Sequence, residues 1–299
     1  MTFPLVSVVV TTKNEASNIE NCLKSIIEQD YPNIEIIVVD NSSTDQTKEL
    51  AKKYTDRVFD LGPERSAQRN FGMIKKARGE YVMYIDADML LSKSLISECI
   101  KATYTSNFVG LYIPEVILGK SLFAKIRSFE RSFYDGTVID ATRFFRRSTI
   151  VDLGGFDEEL FRSGSGEDWD LDISLSEKGP LGLLKNTGGD FLDYGFAAKF
   201  ASERGFYTER FLGIYHNESE DTLIPYLKKK RYYATGFGGY KNKWVHKPEI
   251  IQKQLGFKYR LVTVFLEKGK WRKCMRKPHM YLLTVILKVL VGLVSLDKL

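Results

Sequence analysis

Apolar and polar positions alternate between two periods along the first hundred residues. Leu5-Val6-Ser7-Val8-Val9-Val10 is an apolar, β-branched run that predicts a strand. Ser17-Asn18-Ile19-Glu20 then has the form of a capping box, and Ile19, Cys22, Leu23, Ile26 and Ile27 follow on one helical face, which predicts a helix packed on a sheet. Residues 34–39 form a second apolar run without alternation, as expected of a strand covered on both faces, and it ends in Asp40-Asn41-Ser42-Ser43-Thr44-Asp45. A helix over 47–54, a short strand at Val58-Phe59, a helix over 66–77 and a strand over 81–85 continue the series. Repeated β-α-β units predict an α/β fold, a mostly parallel sheet flanked by helices with right-handed crossovers. Ligands of such sheets bind beyond the carboxyl ends of the strands, here residues 11–15, 40–45 and 86–88.

Past residue 110 the pattern is mixed, with strand-like stretches at 111–117, 141–146 and 206–215 and helical ones at 121–134 and 167–178. Residues 221–299 read as a basic, helical, partly amphipathic extension. Its last segment, 281–296, is short for a spanning helix and carries Lys288; wound as a helix it gathers Thr284, Lys288, Gly292 and Ser295 on one narrow polar stripe. A broad apolar face beside basic residues suits a helix lying in a membrane interface, and docking on the domain or on a second subunit is the alternative.

Charge sharpens this division. The 299-residue chain has a formal charge of +6, but residues 225–299 hold 18 Lys/Arg against 3 acids, and residues 1–224 hold 26 against 35. A basic tail points to an anionic partner, a membrane face or nucleic acid, or to a solvated surface. Tyr232, Tyr233 and Tyr240 among the lysines are what a nucleic-acid module would share, but no nucleic-acid partner is expected. Cys22, Cys99 and Cys274 form no CxxC, which argues against a disulfide framework or a zinc site and for a reducing compartment. The N-terminal residues read as a strand, not as a secretory leader.

Candidate chemistry centres on Tyr84-Ile85-Asp86-Ala87-Asp88, two carboxylates two residues apart at the exit of a buried strand. A hard cation held there would neutralise the charge that develops on a diphosphate leaving group. Glu167-Asp168-Trp169-Asp170 supplies further acids at a presumed helix start, where they also favour the macrodipole.

In order along the chain, Val8-Val9-Val10-Thr11-Thr12-Lys13-Asn14-Glu15, residues 35–45, Arg69-Asn70-Phe71-Gly72, residues 77–82, Asp86-Ala87-Asp88, Gly154-Gly155-Phe156-Asp157 and Gly166-Glu167-Asp168-Trp169-Asp170-Leu171 resemble the blocks of the family 2 glycosyltransferases of GT-A fold. The resemblance covers about 5–220 and implies a catalytic domain over 1–220, donor-binding to about 110 and acceptor-binding beyond. It implies that Thr11 and Glu15 line the nucleoside pocket, that Asp40 meets base or ribose, and that Arg65 and Arg69 reach the diphosphate. Asp86 and Asp88 would hold Mn²⁺ or Mg²⁺, Asp86 also touching the donor, with His216 as a third metal or phosphate contact. Asp168 would be the catalytic base of an inverting transfer, with Glu167 and Trp169 on the acceptor side. The Gln-x-x-Arg-Trp signature of processive members is absent, so one sugar per visit is expected. The expected partners are a UDP- or GDP-linked sugar and a glycan or lipid-linked saccharide, at the inner face of the cell membrane. A soluble transferase with a protein or saccharide acceptor and a self-associating tail, and a nucleotidyltransferase or nucleotide-sugar binder without transfer, are the alternatives.

Overall fold

The computed structural model describes residues 3–160, 166–185, 195–208 and 210–295, so Leu296 of the last apolar segment lies outside the described residues. Among the described residues seven strands form the main sheet, in the order β3-β2-β1-β4-β8-β6-β9. They are β1 (Val6–Thr12), β2 (Ile34–Asp40), β3 (Val58–Asp60), β4 (Tyr81–Asp86), β6 (Gly110–Tyr112), β8 (Thr142–Arg146) and β9 (Leu181–Leu183). β1 to β4 run parallel, and β8 is antiparallel to both β4 and β6. A second sheet joins β5 (Met89–Leu91), β10 (Ile214–Asn217) and β7 (Glu115–Leu118). The expected GT-A arrangement, a mostly parallel sheet between helical layers, is the one found.

β1, β2 and β4 are buried on both faces, which is why their sequences run apolar without alternation. One face packs on the helix Ile19–Ile27 through Val8, Val10, Leu23 and Met83, and the other packs on Met73, Ile150 and Phe156 through Val9, Val39 and Tyr84. The strand order reverses between β1 and β4, where Thr11 lies opposite Asp86; on the other side Thr12 lies opposite Asp40. That switch point opens the sheet for a ligand.

Several local expectations change. The run 111–117 is two strands in two sheets, because Pro114 has no N–H to offer a continuous ladder; its carbonyl instead accepts from Ile214. Only the end of 206–215 is strand, as β10. The capping box does not form: Asn18 caps the first helix, but its side-chain amide donates to Glu15 and its oxygen accepts from Asn217. The helix expected over 66–77 is α-helical at Arg65–Asn70 and then widens to a π-helix, Phe71–Lys76, closed by the Ala77 N–H on the Gly72 carbonyl.

The C-terminal helix, Pro278–Ser295, packs on the helices Leu122–Arg131 and Leu223–Tyr233. Its polar stripe faces the protein: Thr284, Lys288 and Ser295 are buried, whereas Leu282, Ile286, Val289 and Leu293 are 60%, 47%, 42% and 59% exposed. This orientation has a local cause. Lys288 Nζ sits 2.6 Å from the Tyr134 hydroxyl and 3.2 Å from Glu130, whose buried carboxylate requires such partners. By length and composition alone this helix is long and apolar enough to cross a membrane.

Candidate active site

β4 builds the centre of the site. With a period of two, Tyr84 and Asp86 point to one face of the strand, and Thr11 on β1 donates to Asp86 at 2.9 Å. Arg69, 1% exposed, stacks over the Tyr84 ring at 4.4 Å and donates from one nitrogen to Asp86 at 3.2 Å and from the other to Asp168 at 3.0 Å. Burial works against the Asp86 charge, but the Arg69, Arg65 and Arg143 guanidiniums outweigh it and hold the carboxyl well below the usual range.

Arg69 is fixed from behind by the next residue. The Asn70 side chain donates to the Phe156 carbonyl and accepts from the Phe156 N–H, both at 2.8 Å. Gly155, at φ +78°, leaves room for this latch, since a Cβ there would fall 2.1 Å from the Asn70 oxygen. Two of the sequence blocks are therefore a single contact.

Gly166, in the left-handed region at φ +81°, starts the helix Glu167–Ser176 and brings its first turn over Arg69. Asp168 Oδ1 accepts from the Tyr84 hydroxyl at 2.7 Å as well as from Arg69. Its Oδ2 accepts no hydrogen bond among the described residues, and the side chain is partly exposed. Burial and the neighbouring Asp168 push the Tyr84 phenol well above its ordinary range, so it stays a donor. Glu167 is 2% exposed and takes Arg65 at 2.6 Å and Arg69 at 3.7 Å, so it clamps both arginines. Trp169 stacks on Phe237 and carries Arg260 5.7 Å from its ring.

Asp88 lies just past the strand end. One oxygen meets His216 Nε2 at 3.2 Å; Oδ1 is buried without a hydrogen-bond partner. His216 Nδ1 meets Glu115 at 2.8 Å. Burial favours the neutral imidazole, but Asp88 and Glu115 outweigh it and lift His216 well above its ordinary range. Among the described residues no three His, Cys, Asp or Glu side chains gather as a metal-binding group. An unpartnered Asp88 oxygen next to Asp86 still fits a divalent cation whose remaining ligands come from a diphosphate and water.

Arg65, Arg69, Asp86, Glu167, Asp168, Trp169 and His216 share the wall of one cavity of about 360 Å³. Thr11, Glu15, Asp40 and Asp88 are not on that wall. Asp40 is fully buried, its oxygens taken by the Ser43 N–H and hydroxyl, which makes it the former of the turn after β2. Glu15, raised by burial against the pull of Asn18, stands at the mouth of the β1 end. Tyr84 and Glu115 were missed from sequence; for Tyr84 the signal was present, two residues before Asp86 on the same strand face.

Residues 7–148 match the family described as Glycosyl transferase family 2. This part of the chain belongs to glycosyl transferase family 2. An uncharacterized glycosyltransferase of Rickettsia felis is 31% identical over 191 residues, covering 59% of this chain and 31% of the relative. The chain spans about a quarter to a third of the length of the first curated relatives it matches. Among solved structures, the mannosyltransferase PcManGT of Pyrobaculum calidifontis, in complex with GDP-Man and Mn²⁺, aligns at TM-score 0.61 with 18% identity over 100% of this chain and 89% of that one. Staphylococcus aureus TarS 1-349 in complex with UDP aligns at TM-score 0.56 with 18% identity over 98% and 88%. At these identities the likeness is one of fold.

Proposed function

We propose that this chain is a divalent-metal-dependent, inverting and non-processive glycosyltransferase that moves a hexosyl or N-acetylhexosaminyl group from a UDP- or GDP-linked sugar to a lipid-linked saccharide. The observation that carries the reading is Asp168: one carboxylate oxygen is fixed by Tyr84 and Arg69, the other is unengaged, and the group shares a cavity with Asp86. In the proposed step the acceptor oxygen bonds to the anomeric carbon, the bond to the diphosphate oxygen breaks, Asp168 Oδ2 takes the hydroxyl proton, and nucleoside diphosphate leaves. Asp88, with Asp86, would hold the cation, which when bound neutralises leaving-group charge. Arg65 and Arg69 would add bidentate phosphate contacts.

Fold relatives solved with GDP-Man and Mn²⁺ and with UDP support the donor class and the metal. The outward apolar face of Pro278–Ser295 supports a peripheral seat on an anionic, cytoplasmic membrane face. The test is binding and hydrolysis of UDP- and GDP-sugars with and without Mn²⁺. The expected result is metal-dependent binding that is lost in Asp88→Ala, and turnover lost with binding kept in Asp168→Asn. Full turnover by Asp168→Asn, or no binding of any nucleotide sugar, overturns the reading.

A further inference from the structure

The cavity does not end at Asp168. It continues between the helices of the basic extension, where its wall includes Arg127, Lys230, Arg260 and Lys288 together with Phe257, Leu261, Leu287 and Val291. The charges here do not balance. Arg127 is satisfied by Glu130 and Glu218, and Lys288 by Glu130. Lys230 is half-buried, and Arg260 reaches only the Gln254 carbonyl and the face of Trp169; neither has a carboxylate within ion-pair distance among the described residues. Burial and the Arg127 charge push the Lys230 ammonium down to about 7, against the pull of Glu130, and burial takes Lys288 to about 8. Ammonium groups in that state gain from an anion placed among them.

The rest of this part of the wall is apolar and reaches the exterior. Phe257 is 52% exposed and lies against Gly292, where a Cβ would come within 2.9 Å of its ring. The neighbouring surface of the C-terminal helix presents Leu282, Ile286, Val289 and Leu293 outward. A ligand that fills both halves carries a compact anion next to a hydrocarbon chain.

We propose that Lys230, Arg260 and Lys288 form an anion subsite for the phosphate of a phosphoester acceptor, whose apolar chain lies along Phe257, Leu261, Leu287 and Val291. No bond is made or broken there: the phosphoester is a handle that brings the attacking hydroxyl to Asp168. The word acceptor rests on the transferase reading, and the subsite itself rests on the cavity and its charges.

The test uses the full chain in detergent, titrated with farnesyl phosphate, farnesol, glucose 1-phosphate and inorganic phosphate. Binding is followed by calorimetry and by tryptophan fluorescence, to which Trp169, with Arg260 on its face, contributes beside Trp244 and Trp271. Farnesyl phosphate is expected to bind at least about tenfold more tightly than farnesol, and Lys230→Gln and Arg260→Gln each to weaken it by about tenfold, a change of about 1.4 kcal/mol. Lys230→Arg is expected to keep binding. Neither Gln variant breaks an ion pair, so both should melt like the parent. Unchanged farnesyl phosphate affinity in both Gln variants overturns the subsite. Equal loss of UDP or GDP binding also overturns it, by giving the cluster to the donor. Glucose 1-phosphate or inorganic phosphate binding as tightly as farnesyl phosphate overturns the apolar half. Lys230-dependent farnesyl phosphate binding by a protein that binds no nucleotide sugar leaves the subsite standing and sinks the transferase reading.

Discussion

Tyr84→Phe isolates the orientation of the proposed base from every other property of the site. The hydroxyl donates to Asp168 Oδ1 at 2.7 Å, and the ring it leaves behind stays stacked on Phe145 and edge-on to Phe156. Asp168 keeps Arg69 at 3.0 Å, so no buried charge is stranded. The cost to stability should therefore be about 1 kcal/mol, a fall of a few degrees in melting temperature. A hydrogen bond to a carboxylate contributes roughly 1.5–3 kcal/mol. If that energy serves to aim Oδ2 at the acceptor, kcat falls roughly ten- to hundredfold. The assay is steady-state transfer with donor and acceptor varied separately, together with Mn²⁺-dependent nucleotide binding. Donor KM and nucleotide affinity should not move, because the ring beneath Arg69 stays in place and Tyr84 does not touch Asp88. A folded Tyr84→Phe with kcat within about twofold of the parent, or a loss carried wholly by donor KM, would refute the positioning argument.

Three further outcomes follow from the same geometry. Glu167→Ala takes the nearest carboxylate from Arg65 and one of three from Arg69, which keeps Asp86 and Asp168, and should cost about 1–3 kcal/mol, read as a lower urea midpoint; an unchanged midpoint would deny the clamp. Glu115 and Glu130 are held below the carboxylate range because Arg131 and His216 in the first case, and Lys288 and Arg127 in the second, outweigh burial. Their folded values lie below the unfolded value of 4.5, so the stability they add is complete above it and drains as pH falls further; urea midpoints that hold level down to pH 3 would contradict this. Leu282→Glu combined with Leu293→Glu should reduce flotation with anionic liposomes while leaving the melting temperature within a degree or two, since both side chains are more than half exposed; undiminished flotation would remove this face from the membrane.

Local periodicity carried much of the fold. Apolar runs without alternation marked β1, β2 and β4 because those strands are covered on both faces, and the polar residues at their ends marked where the sheet opens. Boundaries beyond residue 110 were harder, since Pro114 divides one apolar run between two sheets and periodicity registers the run, not the missing N–H. The acidic pairs were visible as motifs, and their division of labour came from the resemblance, not from the residue types. By residue type Asp168 and Glu167 look interchangeable; in the structure Asp168 stands partly exposed against Tyr84 and Arg69, whereas Glu167 is buried against Arg65 and Arg69. Asp40 reads in sequence as a ligand contact, and the structure adds that Ser43 bonds to both of its oxygens.

The inward polar stripe of the last helix bears on how this chain can be shortened. A truncation before Pro278 would look like the removal of a greasy appendage from an intact catalyst. It would instead take Lys288 away from Glu130 and Tyr134 and remove one side of the cavity that leads to Asp168. On the proposed reading, the helix that would seat the chain on a surface also walls the passage to Asp168, so a cut before Pro278 removes both at once.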